Sequence, residues 1–154
     1  MDQHEAQHGQ PYRKLAIMTA LSFISMYILM YAMVDQFANV LPNLNQVYMA
    51  ALMTAPMVAI ELALMGAMYP SKPMNLSLMA GAAIVLVGAF ALIRTQGAVG
   101  DREFLRSMIP HHAGAVLMCE HAQISDPSIR TLCASIVTSQ REEIAQMKEL
   151  LARQ

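Results

Sequence analysis

Residues 15–34, LAIMTALSFISMYILMYAMV, form an uncharged stretch that is long enough to cross the hydrocarbon core of a bilayer as a helix. Two further apolar stretches follow at residues 47–69 and 74–93. Arg13 and Lys14 precede the first stretch, and the connections contain proline, which ends helices. No small-residue cleavage site follows the first stretch, so a retained anchor is expected rather than a cleaved signal peptide. The pattern therefore predicts three transmembrane helices.

The composition of the 154-residue chain agrees with a membrane protein. Hydrophobic residues make up 56% and charged residues only 14%, a balance that suits a bilayer better than water. The net charge of -1 offers no basic surface for nucleic acid, and nucleic-acid binding is not expected. Two cysteines are too few for a disulfide framework and fit no zinc-finger spacing. The 15 methionines exceed ordinary usage and require an explanation of their own.

Polar segments divide the chain into three parts. We expect a polar tail at residues 1–14, a three-helix membrane anchor at 15–94 and a helical hairpin at 101–152. Asp101 is a suitable N-cap for the first hairpin helix, and Pro127 is favourable in the first turn of the second. The predicted fold class is all-α, with three transmembrane helices followed by an antiparallel two-helix hairpin. Flanking positive charges do not decide the orientation of the anchor, because each of the two orientations places three of them on the cytoplasmic side.

The hairpin carries sulfur, imidazole and polar side chains on the faces that its helical periodicity turns inward. Antiparallel folding about a turn near Asp126 places Cys119 opposite Cys133 and His112 opposite Gln140. The candidate metal ligands are Met108, His111, His112, Met118, Cys119, Cys133, Gln140, Glu143 and Met147.

In the same register Met108 lies near Glu143 and Met147. An inward carboxylate needs a partner, because burying an unpaired charge is costly. Thioether, thiol and imidazole donors together favour a soft or borderline ion, copper(I) first, whereas hard cations prefer oxygen ligands. The alternative is an ordinary core, because methionine packs readily into irregular gaps. The sequence therefore predicts a copper(I) site and leaves the core interpretation open, above all for Met118.

Two details of the hairpin give geometric expectations. Pro110 cannot donate to the carbonyl of Arg106, so we expect a kink or a new helix start near Ser107. Cys119 and Cys133 should have Cα atoms within about 7 Å, the distance that a disulfide requires. Oxidation of this pair would remove it as a metal ligand.

Two segments carry a family resemblance: MIPHHAGAVLM at residues 108–118 and SQREEIAQMKEL at residues 139–150. Over residues 100–152 the chain resembles the domain of unknown function 305 family, and membrane-bound members with three preceding spans look similar along the whole chain. The resemblance implies ferritin-like helical packing and copper binding or copper tolerance in the bacterial envelope. The residues that it implies at or beside the metal are Met108, His111, His112, Met118, Gln140, Glu143 and Met147.

The resemblance also implies a location and partners. It suggests a multi-pass protein of the bacterial inner membrane, with the N-terminus inside and the hairpin in the periplasm. One hairpin supplies two helices, so a four-helix bundle requires a second chain, and a homodimer is expected. The expected partners are a copper ion, membrane lipid and a second copy. Copper sequestration, relay or tolerance is favoured over catalysis.

Three other functions are considered. A ferritin-like metal-dependent oxidase would use the same ligands, but such sites usually need several carboxylates, and only Glu143 is predicted to point inward. A helical membrane protein could bind haem through Met and His axial ligands. The motif C-x-x-C-H is absent, so covalent attachment of the haem is excluded. A purely structural membrane subunit would leave Gln140 and Glu143 unexplained.

Other motifs are weaker. HEAQH at residues 4–8 matches the zincin pattern, but it lies in a polar tail that is expected to be disordered. Gly81 and Gly88, a heptad apart, are expected to serve helix packing. An i, i+4 row on the second span is open to two interpretations, helix packing or a copper(I) path, because it contains an intramembrane carboxylate. Its members are Met49, Met53, Met57, Glu61 and Met65.

Overall fold

The computed structural model describes residues 2–154, with side chains from residue 10 onward. Within this range the chain is helical and contains no strand, which confirms the all-α prediction. Short 3-10 turns occupy Met30–Met33, Phe37–Asn39 and Gly66–Met68. The α-helices are α1 (Asp2–Leu29), α2 (Leu44–Leu64), α3 (Lys72–Thr95), α4 (Asp101–His121) and α5 (Pro127–Ala152).

Three segments of the described chain are long and apolar enough to cross a membrane. They are Gln10–Met33, Leu44–Leu64 and Lys72–Thr95. Their ends differ from the predicted stretches by about a turn, because helix bounds follow hydrogen bonding rather than hydropathy. By length and composition, the prediction of three candidate spans is confirmed.

Helix α1 begins at Asp2, where the sequence analysis expects a disordered tail over residues 1–14. Glutamine, glutamate and alanine in this segment have high helix propensity, and a prediction based on hydropathy takes no account of it. The helix continues through Pro11. The side chains of the HEAQH motif lie outside the described residues, and nothing is inferred from them.

The chain forms two compact units. The membrane unit consists of α1 up to Leu29 together with Val47–Gly97, and the hairpin unit consists of Met30–Gln46 together with Ala98–Gln154. The segment between the first two spans therefore belongs to the hairpin unit, although the sequence analysis treats it only as a connection.

Each unit has a core of its own. In the membrane unit, Leu15, Leu62 and Tyr69 are buried. Tyr12, Met18, Val58 and Leu78 pack against them. In the hairpin unit, the buried residues are Leu105, Ile109, Ala113, Ile144 and Met147. The partly buried residues around this second core are Val34, Leu41, Met108 and Leu151.

The hairpin helices begin with different caps. At α5 the carboxylate of Asp126 accepts hydrogen bonds from the backbone nitrogens of Ser128 (2.7 Å) and Ile129 (3.2 Å), as expected for an N-cap. At α4 the N-cap is Gly100, so the prediction that Asp101 occupies this position is wrong. Asp101 is the first helical residue, where its negative charge interacts favourably with the positive end of the helix dipole.

Helix α4 runs without interruption through Pro110, so the predicted new start near Ser107 is wrong. The proline still removes one backbone hydrogen bond. It is buried next to Ile109 in the hairpin unit, however, and tertiary packing stabilises helices more than any single hydrogen bond does. The face that carries Met108 and His112 is therefore continuous.

The segment before α2 is bonded to α4. Asn43 Oδ1 accepts hydrogen bonds from the backbone nitrogen of Gln46 (3.0 Å) and from Ser107 Oγ (3.3 Å). Glu103 Oε2 accepts from the backbone nitrogen of Leu44 (3.1 Å). A side chain of α4 thus satisfies a free amide at the start of α2, a group that no helical carbonyl can reach.

Candidate functional site

A histidine–glutamate pair joins the two hairpin helices. His112 on α4 is buried, and its Nε2 lies 2.7 Å from Oε2 of Glu143 on α5. The other ring nitrogen, Nδ1, lies 2.9 Å from the carbonyl oxygen of Met108. The ring is therefore held from both sides, with Nε2 directed across the hairpin.

These two contacts define the protons on the ring. A carbonyl oxygen accepts hydrogen bonds and does not donate, so Nδ1–H donates to Met108. An ionised carboxylate also only accepts, so Nε2–H donates to Glu143. When both ring nitrogens carry a proton, His112 forms a charge-assisted hydrogen bond with the carboxylate.

A second group on α5 supports the carboxylate. Ser139 Oγ donates a hydrogen bond of 2.9 Å to Glu143 Oε1, and this bond is the largest cause that lowers the pKa of Glu143. The hydrogen bond and the positive charge of His112 lower this pKa further, whereas burial opposes them. Both oxygens of Glu143 are thereby oriented.

Two thioethers lie one turn from this pair. Met108 precedes His112 by four residues, and Met147 follows Glu143 by four, so each lies on the same helix face as its neighbour. Met147 is part of the buried core of the hairpin unit, and Met108 packs against that core. The structure thus brings one imidazole, one carboxylate and two thioethers to adjacent turns of α4 and α5.

The cysteine pairing confirms the predicted register at the turn. Cys119 and Cys133 form a disulfide with a Cα–Cα distance of 5.2 Å. Their sulfurs bond to each other in this form, so a role as metal ligands remains a prediction for the reduced protein alone.

Farther from the turn, the hydrogen-bonding partner of His112 lies about one helical turn beyond the residue that is predicted opposite it. His112 pairs with Glu143, whereas the sequence analysis expects Gln140 opposite it. From the disulfide to this pair, the chain advances seven residues along α4 but ten along α5. The predicted register assumes that opposed positions are the same number of residues from the turn on both helices. The side chain of Glu143 is long, so it reaches His112 from a position farther along α5.

Two predicted ligands on α4, His111 and Met118, are exposed, and so is Phe104 on the same helix. Phe104 is 51% and Met118 is 53% exposed. Adjacent helical positions point about 100° apart, so His111 is directed away from the site of His112. One partner helix covers only part of a wide apolar face. On α5, the predicted ligand Gln140 is half-buried.

Charged and thiol ligands are few around the pair. Within residues 10–154, no group of three or more His, Cys, Asp or Glu side chains comes close enough to hold a metal ion. A metal at this place would therefore have to use thioether sulfur in addition to His112 and Glu143. Such a donor set suits a soft ion and does not suit calcium or magnesium.

Ser139 and the carbonyl of Met108 are not among the residues predicted at the site. The serine lies four residues before Glu143, a spacing at which helical side chains meet, so this spacing could have indicated it. A backbone carbonyl carries no sequence signal of its own.

Comparisons with known proteins identify a matching family and a viral relative. A family model described as "Domain of unknown function (DUF305)" matches residues 48–151, so the match includes most of α2 as well as the hairpin. An uncharacterized protein of Acanthamoeba polyphaga mimivirus is 30% identical over 140 residues, which cover 89% of this chain and 90% of the viral protein. No solved structure matches the chain. Because the family model covers well over half of the sequence, the chain belongs to the DUF305 family.

Proposed function

We propose that the protein binds copper(I) between α4 and α5, for sequestration, relay or tolerance of copper at a membrane. The ligands would be His112, Glu143, Met108 and Met147. The observation that carries the proposal is the orientation of His112, whose Nδ1 is fixed by a backbone carbonyl while Nε2 faces a carboxylate on the other helix.

This orientation is typical of metal-binding histidines. A metal-bound imidazole usually donates its second N–H to a carbonyl or a carboxylate, which fixes the tautomer and the ring plane. In the metal-free protein the Nε2 position carries a proton that can be exchanged for a metal ion. His112 and Glu143 would then change from partners of each other into ligands of the same ion.

The thioethers support copper(I) over zinc. Methionine sulfur is a soft donor that selects copper(I), whereas structural zinc sites use thiolate, imidazole and carboxylate. The predicted ligands His111 and Met118 are exposed, and Gln140 is half-buried, so we assign them to the edge of the site. Bound copper would supply a redox-active ion.

The proposed location is the bacterial inner membrane, with the hairpin in the periplasm. If each of the three candidate spans crosses the membrane once, residues 30–46 and 98–154 lie on the same side, and their association in one hairpin unit supports this topology. A disulfide between Cys119 and Cys133 is compatible with an oxidising compartment such as the periplasm.

The proposal is tested by copper(I) titration against a chromogenic chelator, with the full-length protein in detergent. Replacing Met108 and Met147 together with leucine keeps apolar volume and should lower copper(I) affinity at least about tenfold, since thioethers select this ion. Met79→Leu is the matched control, because this exposed methionine belongs to α3 in the membrane unit and is not a proposed ligand. Equal affinity in the double variant and the parent would show that the two methionines are core residues only.

A further inference from the structure

The membrane unit contains an apolar groove that the copper proposal does not use. Its volume is about 800 Å³, and α1, α2 and α3 all contribute to it. Small residues form much of its wall, including Ala16, Ala20, Ala55 and Gly81. Ala16, Ala20 and Val85 are exposed at the wall, so the groove opens sideways, toward the surroundings of the helices.

The hydroxyl groups in this wall are already satisfied. Thr19, Thr54 and Ser77 each donate to the backbone carbonyl four residues earlier on their own helix, at 2.8, 2.7 and 3.0 Å. They therefore offer no free donor to an occupant. A ligand inside the groove should be a hydrocarbon.

One end of the groove is held closed by a polar network. Tyr12 donates to Asn75 Oδ1 (2.8 Å) and accepts from the backbone nitrogen of Ser71 (3.0 Å). These bonds join Tyr12, in the first half of α1, to the start of α3. Arg13, Lys14 and Lys72 adjoin the bonded residues and are exposed.

These three cations lack acidic partners in the described part of the chain, where the ion pairs all lie in the hairpin unit. Arg13 lies one turn before Ala16, a residue of the groove wall. A cluster of basic residues at the end of membrane helices attracts anionic lipid headgroups. The apolar groove thus ends at a positively charged rim.

The length of the groove corresponds to one leaflet. Its wall extends from Tyr12 to Ile24 on α1 and from Met74 to Val85 on α3. At 1.5 Å per residue these stretches are roughly 16 to 18 Å long, and half of a hydrocarbon core measures about 15 Å. The groove therefore begins near one membrane surface and ends near the midplane.

We propose that the membrane unit binds one anionic phospholipid, with an acyl chain in the groove and its phosphate at Arg13, Lys14 and Lys72. An acyl chain meets the apolar wall, and a phosphate meets the unpaired cations. A zwitterionic lipid carries the same phosphate, but the cationic amine of its headgroup offsets that charge and weakens the attraction to Arg13, Lys14 and Lys72.

Two glycines of α3 provide a matched test of the acyl-chain site. A Cβ at Gly81 or at Gly88 would meet no atom within 4 Å, so both positions accept a larger side chain. Gly81 lines the groove and Gly88 does not. Full-length protein in detergent is mixed with phosphatidylglycerol, and the bound lipid is counted by native mass spectrometry. Gly81→Leu should weaken binding at least about tenfold through loss of space, whereas Gly88→Leu should bind like the parent.

The headgroup is tested with the same readout. Lys72→Gln should weaken phosphatidylglycerol binding roughly fivefold and weaken phosphatidylcholine binding less, because the net charge of that headgroup is zero. Arg94→Gln, at the opposite end of α3, is the control and should have no effect. Parent-like binding by Gly81→Leu, or equal binding of the two lipids by the parent, would overturn the proposal. Loss of a dimer without loss of lipid in Gly81→Leu would assign the groove to a second copy and overturn it as well.

Discussion

The carboxylate of Glu143 lies between a serine on its own helix and a histidine on the other, and its titration reports both contacts. Ser139→Ala removes the largest cause of the lowered pKa, so the pKa of Glu143 should rise toward its ordinary value in the metal-free protein. Thr138→Ala removes the neighbouring hydroxyl, which bonds to Ala134 instead, and should leave this pKa unchanged. Carboxyl-carbon NMR titration measures both variants, and equal pKa values would contradict this role of the serine.

The same shift gives a pH dependence of stability. Because folding lowers the pKa of Glu143, its ionised form adds stability at pH values above the ordinary pKa. This contribution is lost as the pH falls through the lowered, folded-state pKa. Its size is small, since about half of the side chain is exposed and solvent screens the charge. Ser139→Ala brings the folded-state pKa of Glu143 closer to its ordinary value. The variant hairpin should therefore lose less stability on acidification than the parent hairpin does.

At the residue scale, the sequence identified both members of the pair but not their pairing. Helical spacing indicated that His112 and Glu143 face the other helix, and the cost of an unpaired carboxylate indicated that Glu143 needs a partner. The residue that pairs with this carboxylate is determined by how the two helices pack beyond the turn. Local sequence patterns do not specify that packing.

At the scale of elements, the disulfide should stabilise the hairpin. It closes a loop between residues 14 positions apart, for which chain entropy predicts about 3 kcal/mol. Replacing Cys119 and Cys133 together with serine should lower the opening free energy of α4 and α5, measured by hydrogen exchange of their amides. Reductant should destabilise the parent in the same way and leave the double variant unchanged. Unaltered exchange in the reduced parent would show that core packing alone holds the turn.

The helices themselves were largely predictable, because apolar periodicity and caps such as Asp126 are local signals. The packing of residues 30–46 on α4 was not. It depends on contacts between distant positions: Asn43 bonds to Ser107, and Gly114 lets the carbonyl of Met33 approach to 3.4 Å from the site of a Cβ. A glycine inside an apolar helix indicates close approach, but it does not indicate which segment approaches.

At the scale of the whole molecule, the exposed residues of α4 favour assembly. Phe104, His111 and Met118 are spaced seven residues apart and lie on one stripe, which α5 leaves uncovered. Heptad spacing of this kind suits packing against another helix. A second hairpin could cover the stripe and bring a partner's imidazole near the proposed copper ligands. Attachment to a membrane raises the local concentration of hairpins and favours such pairing.

We therefore expect a homodimer that copper(I) strengthens through His111. His111→Gln should reduce the copper-dependent gain in dimer, because it removes a ligand donor at the stripe, and should leave the metal-free state unchanged. His121→Gln is the matched control, since His121 is an exposed histidine in the last turn of the same helix. Light scattering in detergent, with and without copper(I), measures the mass. A strict monomer that binds copper(I) at full affinity would show that one hairpin builds the whole site, because the partner's histidine would then have no function in binding.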